Sequence, residues 1–296
     1  MERSGRGLLA PIGAMVVSMA GFQIGAALAK GLFPAVGAEG AAALRLIFAS
    51  LMLAALTRPW RNWPRSAPLA PLLALGVAAA GAMLFFYLAL ARLPQGIAIA
   101  LQFLGPLSVA VAASRRPRDI LWAVLAGAGV WGLVGQHLPG TGRLDPLGVV
   151  WALGAAACWA GYILFGRRAS VTFGRSTAAL ATAIAAVLVA PVGLIHAGAG
   201  LFAPALLPLA LLVALVSVAI PFSLELYALP RMPARTFAVF TSMEPVFGAM
   251  SGLFLLHERL GVAQVAGIAA VITAAAGAAW SSTRGGPAGV TDAPLD

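Results

Sequence analysis

The chain has 296 residues, of which 61% are apolar and only 9% charged, and it carries a formal net charge of +10. Ordinary soluble domains carry about 25% charged residues, so this composition excludes a water-soluble globule and calls for a polytopic membrane protein. Apolar runs of about 20 residues, each enough to cross a bilayer core of about 30 Å, recur along the whole length.

Ten spans are expected, near 8–28, 36–56, 69–90, 94–113, 119–136, 146–166, 175–196, 204–228, 233–256 and 261–281. Helices are the expected form, because lipid offers no partner to free backbone groups and the alternation of a β-barrel is missing. In the first span, Gln23 lies between Gly21 and Gly25, which let a ligand or another backbone come near. Lys30 follows at its end and can snorkel to the interface. The second span holds Glu39 near the outer interface and Arg45 about six residues deeper. At about 1.5 Å per residue they are too far apart for a direct pair, so Arg45 must meet a carboxylate, a carbonyl or a ligand elsewhere. Tyr87 in the third span and Tyr162 in the sixth can stack or hydrogen-bond in a cavity, or sit at the interface. Gln102 in the fourth span, near Gly105, is a neutral hydrogen bonder that serves a ligand or a neighbouring helix.

The eighth span carries Glu225, four residues after Pro221, within reach of Arg231 or Arg235. The ninth carries Glu244 against Pro245, in the stretch TSMEPVFGAMSGLFLLHERL. A carboxylate in hydrocarbon costs about 2.5–3.5 kcal/mol or more when unpaired, so Glu244 reads as a cation or proton site facing a polar cavity. Its structural alternatives are helix capping and pairing with a cytoplasmic arginine. Gly248 and Gly252, four apart on the same span, fit packing within the chain, with a homodimer as the other use of that face. The tail, 283–296, is expected to be disordered.

The basic residues follow topology, not a nucleic-acid or acidic-lipid partner. With the N-terminus inside, cytoplasmic segments hold fourteen of the 19 lysines and arginines. Only Lys30, Arg92, Arg143 and Arg259 fall outside, and Arg45 is within a span. The positive-inside rule therefore puts both termini in the cytoplasm. An internal repeat accompanies this pattern: ALARLPQGIAIALQFLGP at 89–106 aligns without gaps on ALPRMPARTFAVFTSMEP at 228–245, an offset of 139 residues. Pro94 meets Pro233, Pro106 meets Pro245, and Gly105 meets Glu244. The expected halves are 1–140 and 141–282. Five spans per half force opposite orientations, the signature of secondary transporters with a midplane site.

Other chemistries find little support. His137, His196 and His257 fall at span ends and are too dispersed for a metal site, and the single cysteine, Cys158, precludes an internal disulfide. No cofactor is expected. No phosphate loop or ATPase motif is present, so transport has to run on gradients. A channel would show rings of like charge or a repeated filter.

The motif SMEPVFGAMSGLFLLHERL, with the arginine of ALRL in the second span, resembles the EamA branch of the drug/metabolite transporter superfamily. The blocks AALAKGLFPAVGAEGAAALRL, ACWAGYIL and RMPARTF look most like the threonine/homoserine exporters of that superfamily. The resemblance covers essentially the whole chain; His257 before Glu258 departs from the usual Gly-Glu. It implies a cytoplasmic-membrane exporter of small amino acids exchanging with protons. It also carries roles over to Glu39, Arg45, Glu225 and Glu244 with Pro245. On that reading Arg45 takes the substrate carboxylate and Glu244, or else Glu225, takes the ammonium and the proton. Gln23, Gln102, Tyr87 and Tyr162 complete the substrate-binding set, and Glu39 and Lys30 are outer-gate candidates. A carrier for another metabolite or a drug-like cation is the alternative function.

Overall fold

A computed structural model describes residues 3–62, 68–113, 118–134, 144–228, 231 and 240–282. The protein is an all-α membrane protein, with no strand among the described residues. The expectation for the tail 283–296 lies outside these residues, as do His137, Pro233 and Arg235.

In chain order the helices are α1 (Arg3–Lys30), α2 (Phe33–Thr57), α3 (Ala70–Leu90), α4 (Gln95–Gln102), α5 (Leu104–Ala113) and α6 (Arg118–Val134). They continue as α7 (Pro146–Phe173), α8 (Thr177–Ala197), α9 (Leu207–Ala214), α10 (Ile220–Ala228), α11 (Glu244–Leu255) and α12 (Val262–Ser282). Five stretches are long and apolar enough to cross a membrane, and one of them, Pro146–Phe202, runs for 57 residues. At 1.5 Å per residue that is about 85 Å of helix, far beyond one bilayer. Gly174, at φ +49°, divides it into α7 and α8. Helix α7 also outruns its expected end at 166, carrying Arg167 and Arg168 on its last turns.

Three of the breaks lie just ahead of prolines, whereas Pro11 and Pro191 sit inside continuous helices. Proline has no N–H to give the carbonyl four residues earlier and its ring crowds that group. Pro106 therefore leaves Gln102 without a helical donor, and the chain breaks at Phe103 between α4 and α5. Pro245 does the same to Thr241, and α11 starts afresh at Glu244 after a turn at Ser242 and Met243. Pro221 withdraws the donor for Ser217, and residues Leu215–Ala219 between α9 and α10 widen into a π-helical turn.

Small residues set the packing. Ala41, Ala42, Ala43, Ala89, Ala98 and Ala155 are all fully buried in one core shared by α2, α3, α4 and α7. Lipid tails are as apolar as leucine, so helices associate through close packing, which small side chains permit. The main seams join α3 to α7, α2 to α8, α6 to α12, α3 to α8, α1 to α10 and α4 to α11. Gly248 packs on Ile99 of α4, and Gly252 on Gln95 and Glu258, so the small face of α11 is occupied within the chain. Gly21 and Gly25 bring α1 onto the π turn, and a Cβ at Gly25 would fall on Ser217.

That contact yields a test. Gly25→Val should push α1 off the π turn and cost about 1–3 kcal/mol by overpacking. The expected outcome is a lowered unfolding midpoint in detergent, with Gly13→Val, at an open site, unaffected.

Candidate functional site

One cavity of about 360 Å³ lies between the helices. Gln23 from α1, Arg45 from α2, Gln102 from α4, Tyr162 from α7, Ser217 from the π turn, Glu225 from α10 and Glu244 from α11 all face it. Residues from seven separate stretches of sequence thus converge on one void. Apolar walls come from residues such as Phe22, Met83, Phe86 and Trp159, and Thr182 adds a hydroxyl. Trp159 meets Phe103 edge-on at 5.6 Å, so the broken turn between α4 and α5 is held against the cavity wall.

The surroundings of Arg45 follow from the proline breaks. Its side chain is only 7% exposed. Nε donates to Ser217 Oγ at 2.9 Å and Nη2 donates to the Ser217 carbonyl at 3.3 Å, the oxygen that Pro221 leaves without a helical donor. Nη1 reaches the sulfur of Met83, and the guanidinium sits 5.8 Å from the centre of the Tyr87 ring. Ser217 Oγ in turn donates to Val213 O at 2.6 Å. Every partner is neutral. Among the described residues Arg45 forms no ion pair.

The carboxylates are similarly placed. Glu225 accepts from Ser18 Oγ at 3.3 Å, a hydroxyl that also donates to the Pro221 carbonyl. Of the two arginines in reach by sequence, Arg235 lies outside the described residues and Arg231 does not pair with Glu225, donating instead to the Tyr227 carbonyl and lying 4.2 Å over its ring. Glu244 opens α11 but makes no side-chain cap, and no lysine or arginine among the described residues pairs with it. Pro245 beside it is buried.

Other sequence-derived candidates fall elsewhere. Tyr87 does not line the cavity; it is fully buried, supporting Arg45 from behind and touching Phe33 and Phe86. Lys30 does not snorkel freely but pairs with Glu258 at 2.6 Å. Glu39 is held 3.6 Å from His196, next to the kink at Gly37, where φ is +70°. At the exposed start of α7, Asp145 caps the helix through the Leu147 amide. Hydrogen bonding from Arg92, then from that amide, holds its carboxyl below the usual carboxylate range.

Sequence reasoning missed Ser217, Ser18, Thr182 and Glu258. For Ser217 a signal existed: a proline four residues later frees its carbonyl, and two glycines at 21 and 25 bring a helix onto it. A lone serine or threonine carries no such mark by composition. No group of three or more metal-binding side chains exists among the described residues.

A model of the EamA-like transporter family matches residues 146–280. The threonine/homoserine exporter RhtA of Escherichia coli (strain K12) is 46% identical over 269 residues, 90% of this chain and 90% of its own. The exporter of the same name from Salmonella typhimurium (strain LT2) is 44% identical, covering 93% and 92%. An uncharacterized transporter, YwfM, of Bacillus subtilis is 31% identical over 158 residues, 52% of this chain and 53% of its own. A crystal structure of a protein 19% identical superposes with a TM-score of 0.59 over 92% of this chain and 98% of that one, a likeness of fold.

Ser217→Ala removes a buried acceptor from Arg45 and should lower stability by about 1–3 kcal/mol. A depressed thermal midpoint in detergent checks it, with Ser223→Ala, exposed on the next turn, as the control that stays unchanged.

Proposed function

This chain belongs to the EamA-like transporter family, and from that premise we propose that it exports small amino acids of the threonine and homoserine kind across the cytoplasmic membrane. The observation that carries the proposal is the charge pattern of the cavity. One buried guanidinium and two carboxylates line a single void, and none is neutralised by another. Buried charges are normally paired, so this arrangement favours a guest carrying both signs. A zwitterionic amino acid brings a carboxylate for the planar fork of Arg45 and an ammonium group for Glu244 or Glu225. A cation alone, drug-like or otherwise, would leave Arg45 uncompensated. The volume of about 360 Å³ suits a small guest with some of its water. Gln23, Gln102, Ser217, Thr182 and Tyr162 supply neutral hydrogen bonds around it.

The proposed architecture is ten spans in two inverted five-helix repeats, 1–140 and 141–282, rocking about the shared site. Packing supports it. Under the offset of 139 residues, α2 corresponds to α8 and α6 to α12, and each of these pairs forms a seam, while α5 corresponds to α11. The seam of α3 with α7 has its counterpart in α10 with α1. The helix break at Phe103 falls on Ser242, where the chain breaks again. The proposed topology keeps both termini cytoplasmic. Cavity residues Leu53, Ala178, Thr182, Glu225 and Glu244 then lie toward the cytoplasmic ends of their helices, which supports reading this as an inward-facing state. No partner copy is required, since the glycine face of α11 is filled from within.

Coupling to protons follows from competition. If Glu244 holds either the ammonium or a proton, proton entry and substrate release are alternatives, which gives antiport. Inverted vesicles with an acidic lumen should accumulate labelled threonine, and Glu244→Gln should abolish this while leaving membrane insertion intact. Normal proton-coupled uptake in that variant removes Glu244 from the mechanism. Arg45→Lys loses the planar fork and should raise the half-saturating threonine concentration at least tenfold; unchanged affinity makes Arg45 structural.

A further inference from the structure

The three ion pairs among the described residues share an unexpected property. Lys30–Glu258, Arg92–Asp145 and Glu39–His196 each join a residue before position 140 to one after it. Each also lies at a helix end on the face that the proposed topology makes the outer one. On the opposite face Arg231 turns back to the Tyr227 carbonyl of the preceding helix.

The three pairs are not equal. Arg92–Asp145 is 44% and 34% exposed and His196–Glu39 is 54% and 22%, whereas Lys30–Glu258 is 23% and 13%. Exposed pairs in water contribute little, so the Lys30–Glu258 contact dominates. It is also the one built into a network. While Oε1 of Glu258 takes Lys30 Nζ at 2.6 Å, Oε2 accepts the backbone N–H of Gln95 at 2.7 Å. That amide begins α4, whose preceding residue, Pro94, offers no side-chain cap. The Gln95 side chain then donates through Nε2 to the Gln23 carbonyl at 2.8 Å and to its Oε1 at 3.3 Å. Gln23 is a wall of the cavity.

The local backbone is arranged for this. After α11 the chain turns at His257, at φ +54°, and the Glu258 N–H returns to the Gly252 carbonyl at 2.9 Å. This folds the Glu258 side chain back over Gly252, where a Cβ would collide with Oε2. Gly252 is thus the seat of the carboxylate. The buried Oε1 of Gln95 meets no donor among the described residues. An unsatisfied buried acceptor costs free energy, so this end of the network is poised to exchange partners.

We propose that Glu258 is the latch of the outer gate, clasping Lys30 of α1 to the start of α4, and that Gln95 links this latch to the cargo site through Gln23. Outward opening breaks the clasp; a cargo that draws on the Gln23 amide loosens the latch from below. This rests on the alternating-access reading above. Glu258 and Gln95 act by position and never touch the transported molecule.

The test reads which side reaches the cavity. Ala26 lines the void one turn beyond Gln23, and Ala26→Cys in a Cys158→Ala background gives one thiol for a membrane-impermeant reagent. In the parent, labelling should be fast in inverted vesicles and slow in right-side-out vesicles. Glu258→Gln, Lys30→Met and Gly252→Ala should each speed labelling from the outer side roughly tenfold, a population shift of about 1.4 kcal/mol. Lys30→Arg, which keeps the charge, should stay slow. Outer-side rates at the parent value in both Glu258→Gln and Lys30→Met overturn the latch. Threonine flux in the parent separates this from the cargo reading. If labelling shifts but threonine never moves, the latch stands and the cargo assignment falls. If threonine moves and labelling does not shift, the reverse holds.

Discussion

Everything in this protein depends on what lipid withholds: a partner for any polar group the fold leaves open. The proline at 221 is the sharpest instance. By denying Ser217 its helical donor it opens a carbonyl inside the membrane, and the widened turn presents that carbonyl beside the Ser217 hydroxyl. Arg45, equally unable to remain unsatisfied, is drawn there and takes both oxygens. Two apparent liabilities, a broken helix and a buried charge, stabilise each other. The result is a guanidinium fixed at the wall of a cavity, two of its hydrogen bonds anchored behind it.

The same logic explains how two similar breaks, 139 residues apart, come to different uses. The breaks at Phe103 and at Ser242 stand at equivalent places and each follows from a proline three residues on. Yet two residues past the break stands Gly105 in one case and Glu244 in the other. Gly105 lies where a Cβ would run into the Ala156 backbone of α7, so that half uses the site for close packing. In the second half the equivalent residue faces the cavity with a carboxylate. One backbone device thus serves as a packing joint at Gly105 and, at Glu244, turns a carboxylate to the cavity.

Much of this was legible in the sequence, for physical reasons. Span positions follow from apolar length, and Gln23, Arg45, Gln102, Glu225 and Glu244 stood out because polar side chains in hydrocarbon are costly. All five line the cavity. Partners were harder. Whether Glu225 met Arg231 or Ser18 depended on which face of α10 turned inward, and a helical pattern that is apolar all round does not say. Tyr87 was wrongly expected to face the cavity for the same reason. Serine and threonine were invisible, since a hydroxyl bonding its own helix, as Ser217 does to Val213, costs little in lipid. Glu258 escaped because it lies just past a span, where a charge reads as solvated.

The neutrality of the Arg45 partners has a further consequence for release and rebinding. Had Arg45 been salted to Glu244, an entering zwitterion would have had to break a buried ion pair, and losing one partner of such a pair costs about 3–5 kcal/mol. Instead the arginine is held by a hydroxyl, a carbonyl and a thioether, all weaker acceptors than a carboxylate. Ser217 anchors Nε and Nη2 from the π turn, so the contact most readily exchanged is Nη1 with the Met83 sulfur. Met83 sits on α3, and a thioether is both a poor acceptor and a flexible one. On the proposed function, a guest carboxylate would take the Nη1 edge by displacing only that sulfur, while the charge remains fixed in place.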